Sequence, residues 1–101
     1  MIVSAKDVIT LSAEDLLKAV KVSGNLTGDH QDDTLAFYID EVKEYLRSAG
    51  VERAVIDSTL AKGCISRGVF DLWMAEGGGA KFSEAFYQRA IQLERIEVQS
   101  E

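Results

Sequence analysis

The sequence has no proline, one cysteine and one histidine among its 101 residues. A single cysteine excludes an internal disulfide and a cysteine-based zinc cage. Cys64 falls on an apolar stripe and is therefore interpreted as a small buried hydrophobe. His30 has no second histidine or cysteine to complete a ligand set, so we interpret it as a solvated loop residue. The absence of proline is typical of a compact helical domain whose turns use glycine.

Long apolar runs are also absent. No stretch approaches the roughly 18 to 20 consecutive apolar residues that a membrane-spanning helix requires, so membrane insertion is not predicted. The first residues, Met1 to Asp7, lack the basic start and long apolar stretch of a secretory signal. We therefore expect synthesis in the cytoplasm.

Basic side chains are scarce. Eleven lysines and arginines stand against 17 aspartates and glutamates, which gives a net charge of -6 and a pI near 4.7. Proteins bind nucleic acid stably when their basic side chains neutralise phosphates and release counterions, and a negative net charge opposes this. Stable binding of nucleic acid is therefore not expected. An acidic surface is nevertheless compatible with a protein that lies close to DNA without adhering to it.

Catalytic groups are few. With one histidine, one cysteine and no carboxylate pair in a predicted apolar cleft, the sequence predicts neither a nucleophile with its base nor a metal-bound water. The aspartates of residues 29–33 lack the spacing, the central glycine and the closing glutamate of an EF-hand loop. The glycines before Lys81 lack the preceding strand and the Gly-Lys-Ser/Thr ending of a P-loop. We therefore predict a protein that is not an enzyme and that holds no metal or cofactor.

The first half of the chain predicts two helices. One spans about residues 13–20 after Ser12, with acids in its first turn and lysines towards its end, the charge order that a helix dipole favours. A loop rich in glycine and aspartate follows over residues 23–33, its aspartates at or before the start of the next helix.

The second helix is the most regular of the chain. Apolar residues recur at three- and four-residue steps from Leu35 to Ala49, with charged residues on the other face. Gly50 and Val51 predict a Schellman ending. Tyr38 and Tyr45 lie two turns apart on the apolar face, which favours core packing over a ligand shelf.

Two further helices, joined by three glycines, organise the rest of the chain. The first spans about residues 58–76, and each glycine inside it costs about 1 kcal/mol relative to alanine. Gly68 lies on the apolar stripe and predicts close approach of another helix, whereas Gly63 lies off the stripe and is a candidate bend. Residues 52–56 form either a separate helical turn or the beginning of this helix, and the pattern does not decide between the two.

The last helix is predicted to open at Ser83, an N-cap, with Phe82 and Tyr87 as a hydrophobic staple. Its apolar period continues through Leu93 to Ile96.

The predicted fold class is all-α: a small bundle of about four helices with flexible termini. Residues 1–11 form an N-terminal arm whose conformation stays open between an arm, a short strand and disorder; residues 12–96 form the helical domain, and residues 97–101 a tail that frays. The predicted core comprises Leu35, Ile39, Val42, Leu46, Ile65, Gly68, Leu72, Trp73, Phe86 and Ile91.

Taken in order, these elements resemble the small head-tail connector (adaptor, or head-completion) proteins of long-tailed double-stranded DNA phages. The family pattern has two acids before a first long helix, a second long helix of alternating small and large apolar residues, a glycine-containing loop, and a last helix close to "S..F..R..QL". Here the acids are Asp32 and Asp33, the second long helix spans about residues 58–76, and the loop is Gly77 to Gly79. The last motif is carried by Ser83, Phe86, Arg89, Gln92 and Leu93.

The resemblance implies a virion protein at the head-tail interface. It implies a ring of twelve copies that binds the portal protein, extends the DNA channel without tight binding of the DNA, and presents a platform for the stopper or tail-completion protein.

Three stretches are candidates for these contacts. The acidic residues Asp40, Glu41 and Glu44 are candidates for the channel wall or a solvated outer face. The loop Gly77, Gly78 and Gly79 is a candidate for movement between subunits. The C-terminal segment is the candidate for portal and subunit contact, because a terminal arm can order on binding without disturbing the core; its candidate residues are Gln92, Leu93, Arg95, Ile96, Val98 and Gln99. The alternative function is a small acidic regulatory module, of the inhibitor or anti-repressor type, that presents one helix to a partner protein.

Overall fold

The computed structural model describes residues 1–75 and 82–100. Within them the chain is mostly helical, as predicted, and it adds one pair of short strands. In chain order the elements are β1 (Ile2–Ser4), a 3-10 turn (Ala5–Asp7), α1 (Ala13–Ser23), α2 (Asp32–Ser48), α3 (Arg53–Ile56), α4 (Lys62–Met74), α5 (Glu84–Glu94) and β2 (Glu97–Gln99).

The two strands correct the expectation of an all-α fold with flexible termini. β1 and β2 pair in parallel, with Val3 opposite Val98. The amide of Glu97 donates to the carbonyl of Met1 at 2.7 Å. Val3 and Val98 are half-buried against the core, so the pairing satisfies backbone groups while it covers apolar surface. Of the three conformations left open for residues 1–11, the structure has the short strand.

The rest of the N-terminal segment is also held by backbone hydrogen bonds. The amide of Leu11 donates to the carbonyl of Asp57 at 2.8 Å, and the amide of Thr59 donates to the carbonyl of Ile9 at 2.9 Å. The segment therefore closes over the loop between α3 and α4.

Helix α1 begins as predicted and ends three residues later. The hydroxyl of Ser12 accepts a hydrogen bond from the amide of Asp15 at 3.0 Å, which is the expected N-cap. At the other end Asn25 adopts a left-handed φ of 55°, and the amide of Leu26 donates to the carbonyl of Lys21 at 2.9 Å. This is a Schellman ending with asparagine in the usual glycine position.

Gly24 has a different role from a turn glycine. Its φ is -97°, which any residue adopts, but a Cβ on it would lie 2.1 Å from Cζ of Phe70. The glycine is therefore the contact point at which α4 packs under the end of α1.

Helix α2 confirms its predicted ends. Asp32 and Asp33 occupy its first turn, and Gly50 has a φ of 97°. The amide of Val51 donates to the carbonyl of Leu46 at 3.0 Å, which completes the predicted Schellman ending.

The segment between α2 and α4 forms a separate turn, α3, and α4 begins at Lys62 rather than near residue 58. The reason lies in Ser58, whose buried hydroxyl donates to the carbonyl of Val55 at 2.7 Å and accepts from the amide of Leu60 at 3.1 Å. Ser58 therefore closes a turn after α3 instead of capping α4.

The core lies where α2 and α4 cross and where α5 covers them. Gly68 lies at this crossing: a Cβ on it would meet Phe86 Cε1 at 2.7 Å and Val42 Cγ2 at 2.9 Å, as close approach predicts. The predicted core residues that are buried are Leu35, Ile39, Val42, Leu46, Ile65, Gly68 and Phe86.

Three predicted core residues are less buried than expected. Leu72 and Trp73 are only partly buried, and Ile91 is 48% exposed. In α5 the buried positions are Phe86, Ala90 and Leu93, so Ile91 lies about 100° around the helix from Ala90, beside the core rather than in it.

Candidate functional site

The described residues contain no cluster of three or more histidine, cysteine, aspartate or glutamate side chains that would hold a metal ion. None of their helices is long and apolar enough to cross a membrane. The thiol of Cys64 is buried 3.9 Å from the carbonyl oxygen of Phe86. Burial raises the pKa of this thiol to about 11, and the charge of Arg89 opposes the shift only partly. At neutral pH the thiol is therefore protonated and a poor nucleophile.

The exposed side of α2 carries the residues predicted as a channel wall. Asp40 and Glu41 are exposed, and neither has an ion-pair partner among the described residues. Glu44 differs, because Arg47 donates two hydrogen bonds to it from one nitrogen, at 2.5 and 2.7 Å. That pairing lowers the pKa of Glu44 and raises that of Arg47. Within the described part of the chain, Asp40 and Glu41 therefore carry uncompensated negative charge, as does Asp33 in the first turn of the same helix.

The same side of α2 extends towards Phe37, which is 57% exposed although it is aromatic. Asp33 lies one turn before it, and Asp40 and Glu41 lie one turn after it, all exposed. One side of the ring contacts Tyr38, with ring centroids 5.9 Å apart. We call Asp33, Phe37, Asp40 and Glu41 the Phe37 face.

The C-terminal segment proposed for portal contact is divided between core and surface. Leu93 and Ile96 are buried, so they are not available to a partner in this conformation. Gln92, Arg95 and Gln99 are exposed, and Val98 is half-buried. The expectation of an unpaired terminal arm is wrong for this segment, because residues 97–99 form β2. The loop glycines Gly77, Gly78 and Gly79 lie outside the described residues.

The residues of α5 on which the resemblance to connector proteins rests have distinct roles. Ser83 caps the helix by accepting from the amide of Phe86 at 3.2 Å, and its hydroxyl donates to Asp71 at 2.8 Å. The rings of the predicted staple, Phe82 and Tyr87, are 6.0 Å apart. At the surface Arg89 donates to Gln92 at 2.7 Å. Ser83 thus attaches the beginning of α5 to α4 through Asp71, while Arg89 and Gln92 form a polar pair on the exposed side of α5.

An open groove between α1 and α4 was not predicted from the sequence. Its volume is about 760 Å³. The apolar part of its wall comprises Ala19, Val22 and Phe70, and Val22 is 79% exposed. All the charged residues that line it are basic; they are Lys18, Lys62 and Arg67. We call this feature the α1–α4 groove.

The positive charge of the groove is only partly compensated. Lys18 lies 3.8 Å from Glu14, and Arg67 lies 3.6 Å from Asp71. Both side chains of the first pair are well exposed, so the attraction between Lys18 and Glu14 is weak. Lys62 has no ion-pair partner among the described residues. A chain of net charge -6 therefore has a local basic groove.

Part of this groove is visible in the sequence as spacing. Lys62, Ser66 and Phe70 repeat every four residues along α4, as do Gly63 and Arg67. The contribution of α1 depends on how α1 and α4 pack, through Gly24 and Phe70, and no local pattern reports that contact.

Over the described residues, these features define the class of the protein as a small, mostly helical domain with an acidic face on α2 and a basic groove between α1 and α4. No family model, no curated protein and no solved structure matches the chain.

Proposed function

We propose that the protein is a head-tail connector of a long-tailed double-stranded DNA phage, a ring component that binds beneath the portal and receives the stopper or tail. The observation that supports this function best is the order and role of its elements. Asp32 and Asp33 open a long helix, α4 crosses it at Gly68, and Ser83 caps a last helix whose Phe86 and Leu93 are buried. This is the order of the family pattern that the sequence resembles.

The charge distribution supports the same function. A wall around passing DNA must not hold phosphates, and a chain whose 17 acidic side chains outnumber its 11 basic ones, with a net charge of -6, meets that requirement. We therefore expect that the protein does not retard duplex DNA in a mobility-shift assay at moderate salt. Tight binding would contradict a channel role.

The contact with the portal involves the exposed part of the C-terminal segment. Arg95 and Gln99 are exposed there, beside the paired strands that hold the segment in place. A preformed surface of this kind binds without the entropic cost of ordering an arm.

The decisive experiment mixes the purified protein with the portal protein encoded nearest to its gene and images the mixture by electron microscopy. We expect an added ring of twelve copies on one end of the portal. Arg95→Glu should weaken capture by the portal, whereas Arg53→Glu, a matched change of an exposed arginine on α3, should not. Absence of a ring on the portal, or the lack of any portal gene near this one, would contradict the proposal.

A second candidate function is a small regulatory module that presents a helix to a partner protein. The observation that favours it is the exposed ring of Phe37 among carboxylates on α2. The gene neighbourhood separates the two functions, since a connector gene lies between head and tail genes.

A further inference from the structure

The α1–α4 groove and the Phe37 face have opposite chemistry. The groove has an apolar wall and three basic residues, Lys18, Lys62 and Arg67. The Phe37 face has one exposed aromatic ring with carboxylates one helical turn away on either side, about 6 Å along the helix axis. Each surface therefore supplies what the other lacks, an apolar projection with acidic flanks and an apolar recess with basic flanks.

Gly63 leaves the α4 side of the groove open. A glycine inside a helix costs about 1 kcal/mol relative to alanine, and close packing is the usual reason for it. Gly63 lines the groove, yet a Cβ built on it would have no heavy atom within 4 Å. The groove is therefore open at the first turn of α4, and a side chain from another molecule can approach the backbone there.

The groove suits a protein surface better than a phosphate backbone. A nucleic acid would use its three basic residues but not the apolar wall formed by Ala19, Val22 and Phe70. It would also approach a chain of net charge -6. An aromatic side chain with acidic neighbours uses both parts of the groove.

We propose that the α1–α4 groove of one copy binds the Phe37 face of a second copy, with the Phe37 ring against Val22 and Phe70 and with Glu41 near Lys62. The contact joins two different surfaces of the same chain, so each copy retains a free groove at one end and a free Phe37 face at the other. Repetition of such a head-to-tail contact gives a ring if the rotation closes. The inference thus rests on the proposed function, for which it names the subunit contact.

Cross-linking between two variants, each with one added cysteine, tests the contact directly. Ala36→Cys places a thiol beside Phe37 at an exposed position, and Ser23→Cys places one at the edge of the groove. The natural thiol of Cys64 is buried and does not interfere. With a short bismaleimide, a mixture of the two variants should form cross-linked dimers far above the level that either variant forms alone.

The cross-linking outcomes separate the possible arrangements. A two-fold dimer formed through either surface would cross-link the variant of that surface with itself, and that result would overturn the head-to-tail contact. A mixture of Ala36→Cys with Ile91→Cys, which places a thiol at an exposed position of α5 outside the groove, should give only background. Equal cross-linking in this control would also overturn the proposal.

Charge reversal gives a second, quantitative test by analytical ultracentrifugation. Glu41→Lys and Lys62→Glu should each weaken self-association about tenfold, because each replaces an attraction by a repulsion. A mixture of the two should recover association into alternating oligomers, because both junctions between unlike variants again bring a lysine against a glutamate. Lys6→Glu, a reversal of an exposed charge outside both surfaces, should leave association unchanged.

Phe37→Ala should weaken self-association about tenfold while the melting temperature changes little, because the ring is more than half exposed. Full association of this variant would overturn the proposal. Loss of the cross-link while a ring still forms on the portal would refute this subunit contact and leave the connector function standing. Retention of the cross-link with no portal binding would support the subunit contact and refute the connector function.

Discussion

Gly68→Ala is the substitution whose cost the structure fixes most closely. Alanine is better than glycine inside a helix by about 1 kcal/mol, so propensity alone predicts a gain in stability. The added methyl, however, would lie 2.7 Å from Phe86 Cε1 and 2.9 Å from Val42 Cγ2, whereas ordinary contact begins at 3.4 Å. Both neighbours are fully buried side chains, and Phe86 is stacked on Phe82 with centroids 4.1 Å apart, so neither has room to withdraw.

Overpacking of this kind costs about 1 to 3 kcal/mol, and a clash on two sides belongs in the upper half of that range. Subtracting the gain in propensity leaves a net destabilisation of about 1 to 2 kcal/mol. For a domain of this size, that corresponds to a fall in melting temperature of roughly 4 to 16 °C.

Gly63→Ala on the same helix is the matched control. Its methyl enters open space, so only the helix propensity changes and the protein should gain about 0.5 to 1 kcal/mol. Urea unfolding followed by circular dichroism measures both variants on one scale. If Gly68→Ala were as stable as Gly63→Ala, the close packing of α2, α4 and α5 at Gly68 would be refuted.

Four further predictions follow from burial and capping. In urea unfolding, Leu93→Ala should lower the free energy of unfolding by about 2 to 5 kcal/mol, because Leu93 is fully buried. Ile91 is half exposed, so Ile91→Ala should lower it by less than about 1 kcal/mol. Equal losses would contradict the assignment of Leu93 to the buried side of α5. Ser83→Ala should lose about 1 kcal/mol by removing the N-cap of α5, and an unchanged unfolding midpoint would contradict that role. Cys64 should resist iodoacetamide at pH 8 until the protein unfolds, and rapid native labelling would show that the thiol is accessible. Because burial raises the pKa of this thiol from 9.0 to about 11, its contribution to stability is complete below pH 9 and is lost as the pH rises towards 11.

The features that the sequence predicted correctly are those set by neighbouring residues. Ser12 and Ser83 cap helices because a hydroxyl before an acid-rich first turn accepts a nearby amide hydrogen. Gly50 ends α2 because its left-handed conformation suits glycine. The apolar period of α2 likewise identified Leu35, Ile39, Val42 and Leu46, all buried.

The features that were not predicted depend on residues far apart in the chain. β1 and β2 are separated by almost the whole sequence, and each is only three residues long, too short for a periodic signal. The exposure of Ile91 depends on which side of α5 faces α4. The apolar residues of α5 are compatible with more than one buried side; they are Phe86, Ala90, Ile91 and Leu93. The α1–α4 groove depends on Gly24 touching Phe70, which neither local segment reveals.

The groove also sharpens the argument from net charge. A total of -6 describes the whole chain, yet Lys18, Lys62 and Arg67 gather on one surface. Neutralising three phosphates would give a salt dependence with a slope of about 2.7, far below that of proteins that make about 6 to 10 phosphate contacts. Glu14 and Asp71 lie beside two of these three residues and reduce the attraction further. The basic groove therefore does not change the expectation that the protein does not bind DNA tightly; its three charges are better matched to the few carboxylates of one protein surface than to a polyanion.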